Sequence, residues 1–518
     1  MERNGQPKIC LCLTGKTIEE NLRTLERYRS LVDYVELRAD YLEPDERFYI
    51  RSFPEKAKVP CVLTIRRTQD GGKFEDGEGV RLVLFARALS FPESDTRANY
   101  AFVDLESDFH SPVVEEACRT FGTRIVRSRH FLHGLPDNLD TVYEELAREE
   151  DEIPMLAVNP QNSKDFIRFL EWSRNLSPRE QILVASGLYG IVSRILPWKF
   201  ASVWTYASAL QSNMDSAAPA QLDPFDLFQI YNYDIVHDET SLYTLIGHPS
   251  IAQSLSPYLH NTAFRKMGKD ALLVPTPVDS FSDGLKILEL LHGKGAAITA
   301  PFKEDVLPYL SFHSTDVKRI GACNTLVWRD GAWAGYNTDA DGFERSLLEF
   351  LGKQDISGYR ASIIGAGGAA KSIALSFFRK GARGLIVNRT YSAGRELARK
   401  YGFLYSHLDE RAIDSISEYS ELIVQATSVG MKGEYDPISF YEFRGSEAVF
   451  DLIYHPQKTR LLERAEAAGC RIQNGYKMLC YQAAGQYKLW MDEAPPDIYA
   501  QIEEPKSNPS MFPRVVSV

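Results

Sequence analysis

No apolar run in this chain approaches the ~18 residues a membrane span needs, so no bilayer-crossing helix is expected. Cysteine is sparse: Cys10, Cys12, Cys61, Cys118, Cys323, Cys470 and Cys480 are odd in number, scattered and never in a C-x-x-C pair. That excludes a disulfide framework or structural zinc site and fits a reducing cytoplasm. His237, His292, His313 and His407 show no ligand spacing, so no metal is expected. A basic excess is also missing. Fifty-nine Lys and Arg stand against seventy Asp and Glu, a net charge of −11, which argues against general binding of nucleic acid or anionic lipid. The first residues run into an apolar strand without a signal-peptide h-region, and the reading is a soluble, cytoplasmic protein.

What is present is ordinary for globular chains: 518 residues, 44% apolar and 25% charged. At roughly 100–200 residues per domain, that allows about three domains with cores large enough to need no staples. Strand-like runs begin at Lys8 to Leu13 and recur at Tyr34 to Ala39, Cys61 to Arg66, Tyr100 to Glu106, Thr123 to Ser128, Met155 to Asn159, Ile182 to Ser186 and Ser202 to Ala207. Between them lie helical patterns with apolar residues at i, i+3 and i+4, such as Thr17 to Leu31, Arg81 to Ala88, Leu139 to Arg148 and Ser163 to Asn175. Eight such repeats predict a TIM (β/α)8 barrel, with an open α/β sheet as the alternative. Glu36, Arg38, Arg66, Glu106, His130 and Arg194 fall where such a barrel builds its site, at the C-terminal ends of strands. Three arginines there point to an anionic ligand.

A polar, Pro-containing stretch from Gln211 to Asp226 marks a boundary, and a second α/β pattern starts at Tyr243. Further on, the strand Arg360 to Ile364 leads into Gly365-Ala366-Gly367-Gly368-Ala369-Ala370 and a helix predicted over Lys371 to Arg379. This is the G-x-G-x-x-G/A fingerprint in its strand-turn-helix setting, where glycines let the backbone approach a pyrophosphate at a helix N-terminus. The next strand ends in Asn388-Arg389-Thr390, without the carboxylate that would hold the ribose hydroxyl of NAD. Arg389 and Arg395 can meet a 2′-phosphate instead, so NADP is favoured.

Several ordered motifs resemble shikimate dehydrogenase: Ser254-Leu255-Ser256-Pro257 with His260-Asn261, Ile298 to Lys303, Gly321 to Thr325, Gly335 to Gly342, Ala426 to Met431, Asp451 to Tyr454 and Gly475 to Gln482. The resemblance implies Lys303 and Asp339 as the catalytic pair. It implies substrate contacts from Ser254, Ser256, Thr299, Asn324, Tyr454 and Gln482, and cofactor contacts from Gly365, Ala366, Gly367, Gly368, Ala369, Asn388, Arg389, Thr390 and Gly475. Its reaction is the NADP-dependent reduction of 3-dehydroshikimate to shikimate. Two positions depart from the family pattern: Ala297 and Gln425 each stand where asparagine is usual.

The first part is similar to type I 3-dehydroquinate dehydratase at Glu36 to Asp40, Thr64 to Arg66, Asp104 to Glu106, Ser128 to His130, Ser193-Arg194 and Ala218 to Gln221. The resemblance makes His130 the proton-transfer residue and Glu106 its orienting partner, with Glu36, Arg38, Arg66, Arg194 and Gln221 holding 3-dehydroquinate. That family forms a Schiff base through a lysine on the sixth strand, in a pattern like Lys-Ile-Ala-x-x-Pro. Here the segment reads Met155-Leu156-Ala157-Val158-Asn159-Pro160, and methionine has no nucleophilic nitrogen. The reading is therefore a shikimate-pathway fusion with an active dehydrogenase half and a weakened or inactive dehydratase half. Its alternatives are retention of both activities, a quinate dehydrogenase, and a barrel that binds a metabolite without catalysis.

Together these features predict an α/β chain: barrel over 1–228, linker over 229–240, substrate-binding domain over 241–350 with a returning helix at 478–500, Rossmann NADP-binding domain over 351–477, and tail over 501–518.

Overall fold

Alternating inward and outward side chains close the first eight strands into a cylinder in the computed structural model, which describes residues 8–90, 93–212, 216–433, 435–497 and 499. The expected tail lies outside the described residues. The strands are β1 (Lys8–Leu13), β2 (Tyr34–Arg38), β3 (Cys61–Thr64), β4 (Phe102–Glu106), β5 (Arg124–His130), β6 (Ile153–Val158), β7 (Ile182–Ala185) and β8 (Trp204–Ser208). They run parallel in the order β7-β6-β5-β4-β3-β2-β1-β8. Cys10, Cys12, Val62, Phe102, Val126, Met155, Val184 and Trp204 fill the interior. Leu11, Leu13, Val35, Leu37 and Leu63 face outward into a second core shared with the helices. This two-sided burial is what a parallel sheet covered by crossovers requires.

The seam between β7 and β8 has no continuous ladder. Gln181 and Ser202 form an isolated bridge, with the Val203 amide donating to the Gln181 carbonyl at 2.9 Å. Beyond it, serine hydroxyls satisfy the edge of β7: Ser202 bonds the amide and carbonyl of Leu183, and Ser193 those of Ala185.

Local chemistry sets the crossover helices. Thr17 caps Ile18–Tyr28 by accepting from the Glu20 amide, and Asn162 caps Ser163–Ser173 through the Asp165 amide. Gly122, at φ +80, ends Pro112–Phe121 in the left-handed conformation that glycine adopts without steric cost. The acidic run after Leu146 is not all solvated. Glu152 is buried and holds Arg127 with two bonds of 2.7 Å.

The chain falls into two compact units, meeting in sequence at Gly293 and Lys294. The first includes β9 (Ser241–Gly247) and β10 (Ala271–Pro277), which pair in parallel, and the helices Ser256–Lys266 and Phe281–Leu290. Residues 229–240, read as a linker, are packed: Ile230, Tyr231 and Tyr233 are buried, and the Tyr233 hydroxyl donates to the carbonyls of Arg194 and Ile195. Asn261 ties this segment to β10, bonding the Ile230 carbonyl and both backbone groups of Leu273.

The second unit opens with β11 (Gly295–Ile298), β12 (Phe312–His313), β13 (Thr325–Arg329) and β14 (Ala332–Tyr336), in the order β11-β13-β14-β12. After the helix Asp339–Leu351 come β15 (Arg360–Ile364), β16 (Arg383–Asn388), β17 (Leu404–His407), β18 (Leu422–Gln425), β19 (Ala448–Asp451) and β20 (Arg471–Gln473). They form a parallel sheet ordered β17-β16-β15-β18-β19-β20, the doubly wound arrangement whose strand order reverses beside β15. The last described helix, Tyr476–Met491, packs back on Asp339–Leu351. Glycine permits that approach: a Cβ at Gly342 would lie 2.7 Å from the Gln482 nitrogen, and one at Gly485 3.0 Å from Thr338. Among the described residues no helix is long and apolar enough to cross a membrane.

Candidate active sites

A cavity of about 680 Å³ opens in the barrel, within the size range of small-ligand sites. Glu36, Arg38, Arg66, His130, Arg194 and Gln221 line it, as does Met155. Their charges are mostly spoken for. Asp40 binds Arg38 in a two-bond fork at 3.0 and 2.8 Å, and Asp104 binds Arg66 at 2.5 Å while also accepting from Ser128. Glu36 accepts from the Cys12 thiol at 2.9 Å and the Thr64 hydroxyl at 2.7 Å. Burial, then the neighbouring Glu36, pushes the Cys12 thiol well up, so it stays protonated and donates.

Arg194 differs from the other two arginines. It lies not at a strand end, as expected, but on the short helix Ile191–Ile195, because the turn after β7 continues directly into that helix. Its guanidinium reaches the cavity through neutral partners, the Ser186 hydroxyl at 3.0 Å and the Pro219 carbonyl at 3.1 Å. No carboxylate pairs with it among the described residues, its Nε has no partner, and burial pushes it down to about 10. An uncompensated buried cation is costly, and an anionic ligand would relieve that cost.

The expected bond between Glu106 and His130 is not formed. Glu106 is instead held by Arg81, a fully buried arginine of the helix Glu78–Leu89, which outcompetes a neutral imidazole for the carboxylate. Burial, then Arg66 and Arg38, pushes His130 well below its usual range, and its Nε2 has no partner among the described residues. Arg81 escaped sequence reasoning because an arginine on an amphipathic helix ordinarily reads as solvated. Asp40, Asp104 and Cys12 also went unassigned as site residues.

In the second unit Lys303 and Asp339 form an ion pair of 2.5 Å with both side chains mostly buried. Asp339 begins its helix, where the helix dipole favours a carboxylate. Its other oxygen accepts from the Asn324 amide at 2.9 Å, and the same amide lies 3.3 Å from the Gln482 carbonyl oxygen. Asn324 is fixed in turn: its oxygen accepts from the Thr338 amide and the Thr325 hydroxyl, and Gln486 holds its backbone carbonyl at 3.0 Å. Gln486, one turn beyond Gln482, was not anticipated. Thr299 and Tyr454 are half-buried, after β11 and β19 respectively. In the first unit the Ser254 and Ser256 hydroxyls stand 3.3 Å apart at the start of the helix Ser256–Lys266.

The loop after β15 forms a cradle open to a dinucleotide. Gly365 takes φ +118, and a Cβ there would meet Thr427 at 2.9 Å; a Cβ at Gly367 would meet nothing, leaving space over the backbone. The helix starts at Gly368 rather than at Lys371, because Gly367 already serves as the cap residue, so the Gly368 and Ala369 amides belong to its unbonded first turn. The Lys303 stem passes that turn, 3.4 Å from where a Gly368 Cβ would sit. Arg389 and Thr390 are exposed beyond β16, while Asn388 bonds the Thr390 carbonyl. Arg395 is engaged with the Tyr391 hydroxyl and ring. Gly475 has no room for a side chain, since a Cβ would fall 1.9 Å from the Leu452 carbonyl oxygen. Gln425 spans the loop that follows it, donating to the Thr427 and Val429 carbonyls and accepting from the Thr427 amide.

Fold and sites define an α/β oxidoreductase of the dinucleotide-binding kind, fused behind a (β/α)8 barrel. Family comparisons agree region by region: type I 3-dehydroquinase matches residues 9–238, the shikimate dehydrogenase substrate binding domain 245–326, and shikimate/quinate 5-dehydrogenase 349–431. A bifunctional 3-dehydroquinate dehydratase/shikimate dehydrogenase of Arabidopsis thaliana, described as chloroplastic, is 28% identical over 95% of this chain and 84% of its own. A shikimate dehydrogenase (NADP(+)) of Pyrococcus abyssi is 37% identical over 48% of this chain and 91% of its own. A solved shikimate dehydrogenase from Aquifex aeolicus is 30% identical, covering 52% of this chain and 98% of its own, with a TM-score of 0.48. The chain belongs to the shikimate dehydrogenase family and carries a type I 3-dehydroquinase domain ahead of it.

Proposed function

We propose that the C-terminal half reduces 3-dehydroshikimate to shikimate with NADPH. The Lys303–Asp339 pair carries this reading: an ammonium and a carboxylate, tied together and to Asn324 and Gln482, suit proton delivery to a ketone oxygen that gains negative charge. Lys303 holds the proton at Nζ, and Asp339 orients that ammonium. Asn324 fixes the carboxylate, Gln482 accepts from the Asn324 amide, and both offer amide groups to the ring hydroxyls. Ser254 and Ser256 bind the substrate carboxylate, with Thr299 and Tyr454 completing the hydroxyl contacts. The cradle supports a nucleotide: the Gly365 to Ala369 backbone takes the pyrophosphate, Gly475 contributes a cofactor contact, and Asn388, Arg389 and Thr390 take the adenosine end with its 2′-phosphate. When bound, the nicotinamide supplies the hydride.

We assign the barrel, over 1–228, the binding of 3-dehydroquinate or a like hydroxy acid through Arg194, without a Schiff base, since Met155 occupies the cavity where that chemistry needs an amine. The remaining boundaries follow the expectation of a catalytic domain over 241–350 with the returning helix and a Rossmann domain over 351–477. Seven free, buried cysteines support a cytoplasmic setting.

Steady-state assays of the full chain test this. Turnover of 3-dehydroshikimate with NADPH, and preference for shikimate over quinate in reverse, are expected. Turnover of quinate alone overturns the substrate assignment, and a borohydride-trapped dehydroquinate adduct on any lysine overturns the barrel reading.

A further inference from the structure

Two loops at the mouth of the barrel cavity end on one carboxylate outside the barrel. Tyr189, in the turn after β7, lines the cavity and donates its hydroxyl to Asp279 Oδ1 at 2.5 Å. Ser163 follows the cavity-lining segment Asn159 to Gln161 after β6. Its amide and hydroxyl both donate to Asp279 Oδ2, at 2.9 and 3.0 Å. Asp279 sits between β10 and the helix Phe281–Leu290, in the part of the chain that follows the barrel. That helix lies beside Ser163–Ser173: Asp283 accepts from Ser163 at 2.6 Å, Lys286 pairs with Glu171 at 2.9 Å, and Arg174 donates to the Leu290 carbonyl at 2.6 Å.

What Tyr189 carries with it makes this more than a surface contact. Its turn leaves β7 through Ser186, whose amide bonds the Val158 carbonyl, and through Gly187 at φ +71. Gly190 closes the turn where a Cβ would lie 2.4 Å from Ala185 backbone atoms, so the segment has little freedom to adjust internally. Ser186 is also the side-chain partner of Arg194, the uncompensated cation of the cavity. A shift of Tyr189 therefore moves the acceptor that aims the Arg194 guanidinium. Burial and the adjacent carboxylate push the Tyr189 phenol up, so it remains a donor across the physiological range.

We propose that Asp279 is a positioning residue for the barrel cavity: by holding Tyr189 and Ser163 it sets the loops after β7 and β6, and through Ser186 the direction of Arg194, for a carboxylated hydroxy acid. The inference rests on the binding role given above to the barrel.

The experiment is calorimetric titration of the full chain with 3-dehydroquinate, beside hydrogen exchange over residues 186–190. The variants are Asp279→Ala, Asp279→Asn, Tyr189→Phe, the Asp279→Ala/Tyr189→Phe pair, Arg194→Ala and Lys286→Ala. Because Asp279 lies at the surface, its replacement leaves the cores intact. Loss of one net hydrogen bond predicts binding weakened about two- to tenfold in Tyr189→Phe, and by at least as much in Asp279→Ala, which also releases Ser163. The double variant should be little weaker than Asp279→Ala alone, because that change already removes the Tyr189 link along with the Ser163 one. Asp279→Asn keeps an acceptor and stays closer to the parent. Lys286→Ala, which loosens the helices without touching the loops, binds as the parent does, and exchange at 186–190 rises only in the variants that cut the link. Parental affinity in Asp279→Ala, with Arg194→Ala unable to bind, overturns the inference while sparing the binding role. Absence of any titration by the parent overturns both.

Discussion

The Tyr206 hydroxyl donates to the Met155 sulfur at 3.6 Å inside the barrel. A thioether is a weak acceptor and no nucleophile, so Met155 itself offers no group for a Schiff base. A lysine in that place would be buried beside a phenol, and desolvation would favour its neutral, nucleophilic form. Met155→Lys is expected to yield a borohydride-trapped dehydroquinate adduct at residue 155 and to raise dehydration by at least about 10³-fold. An untrapped variant with unchanged rate means other groups have drifted too far for the lysine to restore the reaction.

Lys303 should affect turnover more than binding. Lys303→Ala removes the ammonium proposed to deliver the proton and is expected to lower kcat by about 10²–10⁴-fold with a small change in KM. Asp339→Asn keeps the shape but leaves the lysine without its charge partner, and should fall in the same direction. An effect confined to KM in both variants assigns the pair to binding alone.

Arg81 carries a structural load. Replacing it with methionine leaves Glu106 buried, 3% exposed, without its cation. Breaking a buried pair from one side costs about 3–5 kcal/mol. Denaturant unfolding of Arg81→Met should show that loss, with Glu106→Gln in the same background recovering part of it by removing the stranded charge.

Asp451 gives the Rossmann unit a pH dependence. Burial raises its carboxyl to about 6, against hydrogen bonds from Thr459 and Ile453 that lower it. The folded state thus binds this proton more tightly than the unfolded chain, where an aspartate titrates at its ordinary value of 3.8. The associated stability is full below the unfolded value and lost as pH rises through about 6. Asp451→Asn, which does not ionise, should gain on the parent by roughly 2–3 kcal/mol between pH 4 and pH 7. A difference in unfolding free energy that stays flat across this range contradicts the assignment.

The barrel strands and the nucleotide loop were legible because their signals are periodic and local: in-out alternation on β1, and a glycine turn joining β15 to a helix. Lys303, Asp339 and Asn324 were reachable through motif resemblance, although only the folded chain ties Asn324 to Gln482, 158 residues away in sequence. Charge pairing was not legible. Whether Glu106 meets His130 or Arg81 depends on how a helix turns against a strand 25 residues along, and residue type alone does not fix that. The same holds for residues 229–240, whose short apolar run did not show that Ile230, Tyr231 and Tyr233 would be buried, and for Glu152, set in an acidic run but paired with Arg127.

The Ser202 hydroxyl, bridging to Leu183 where β7 and β8 lack a ladder, gives the cylinder one edge expected to open at lower free energy than the rest, since few backbone bonds cross it. The turn bearing Ser186 and Tyr189 hangs from that edge. An opening of that edge would reach the cavity wall at Arg194, and the Tyr189–Asp279 bond is the contact it would have to stretch.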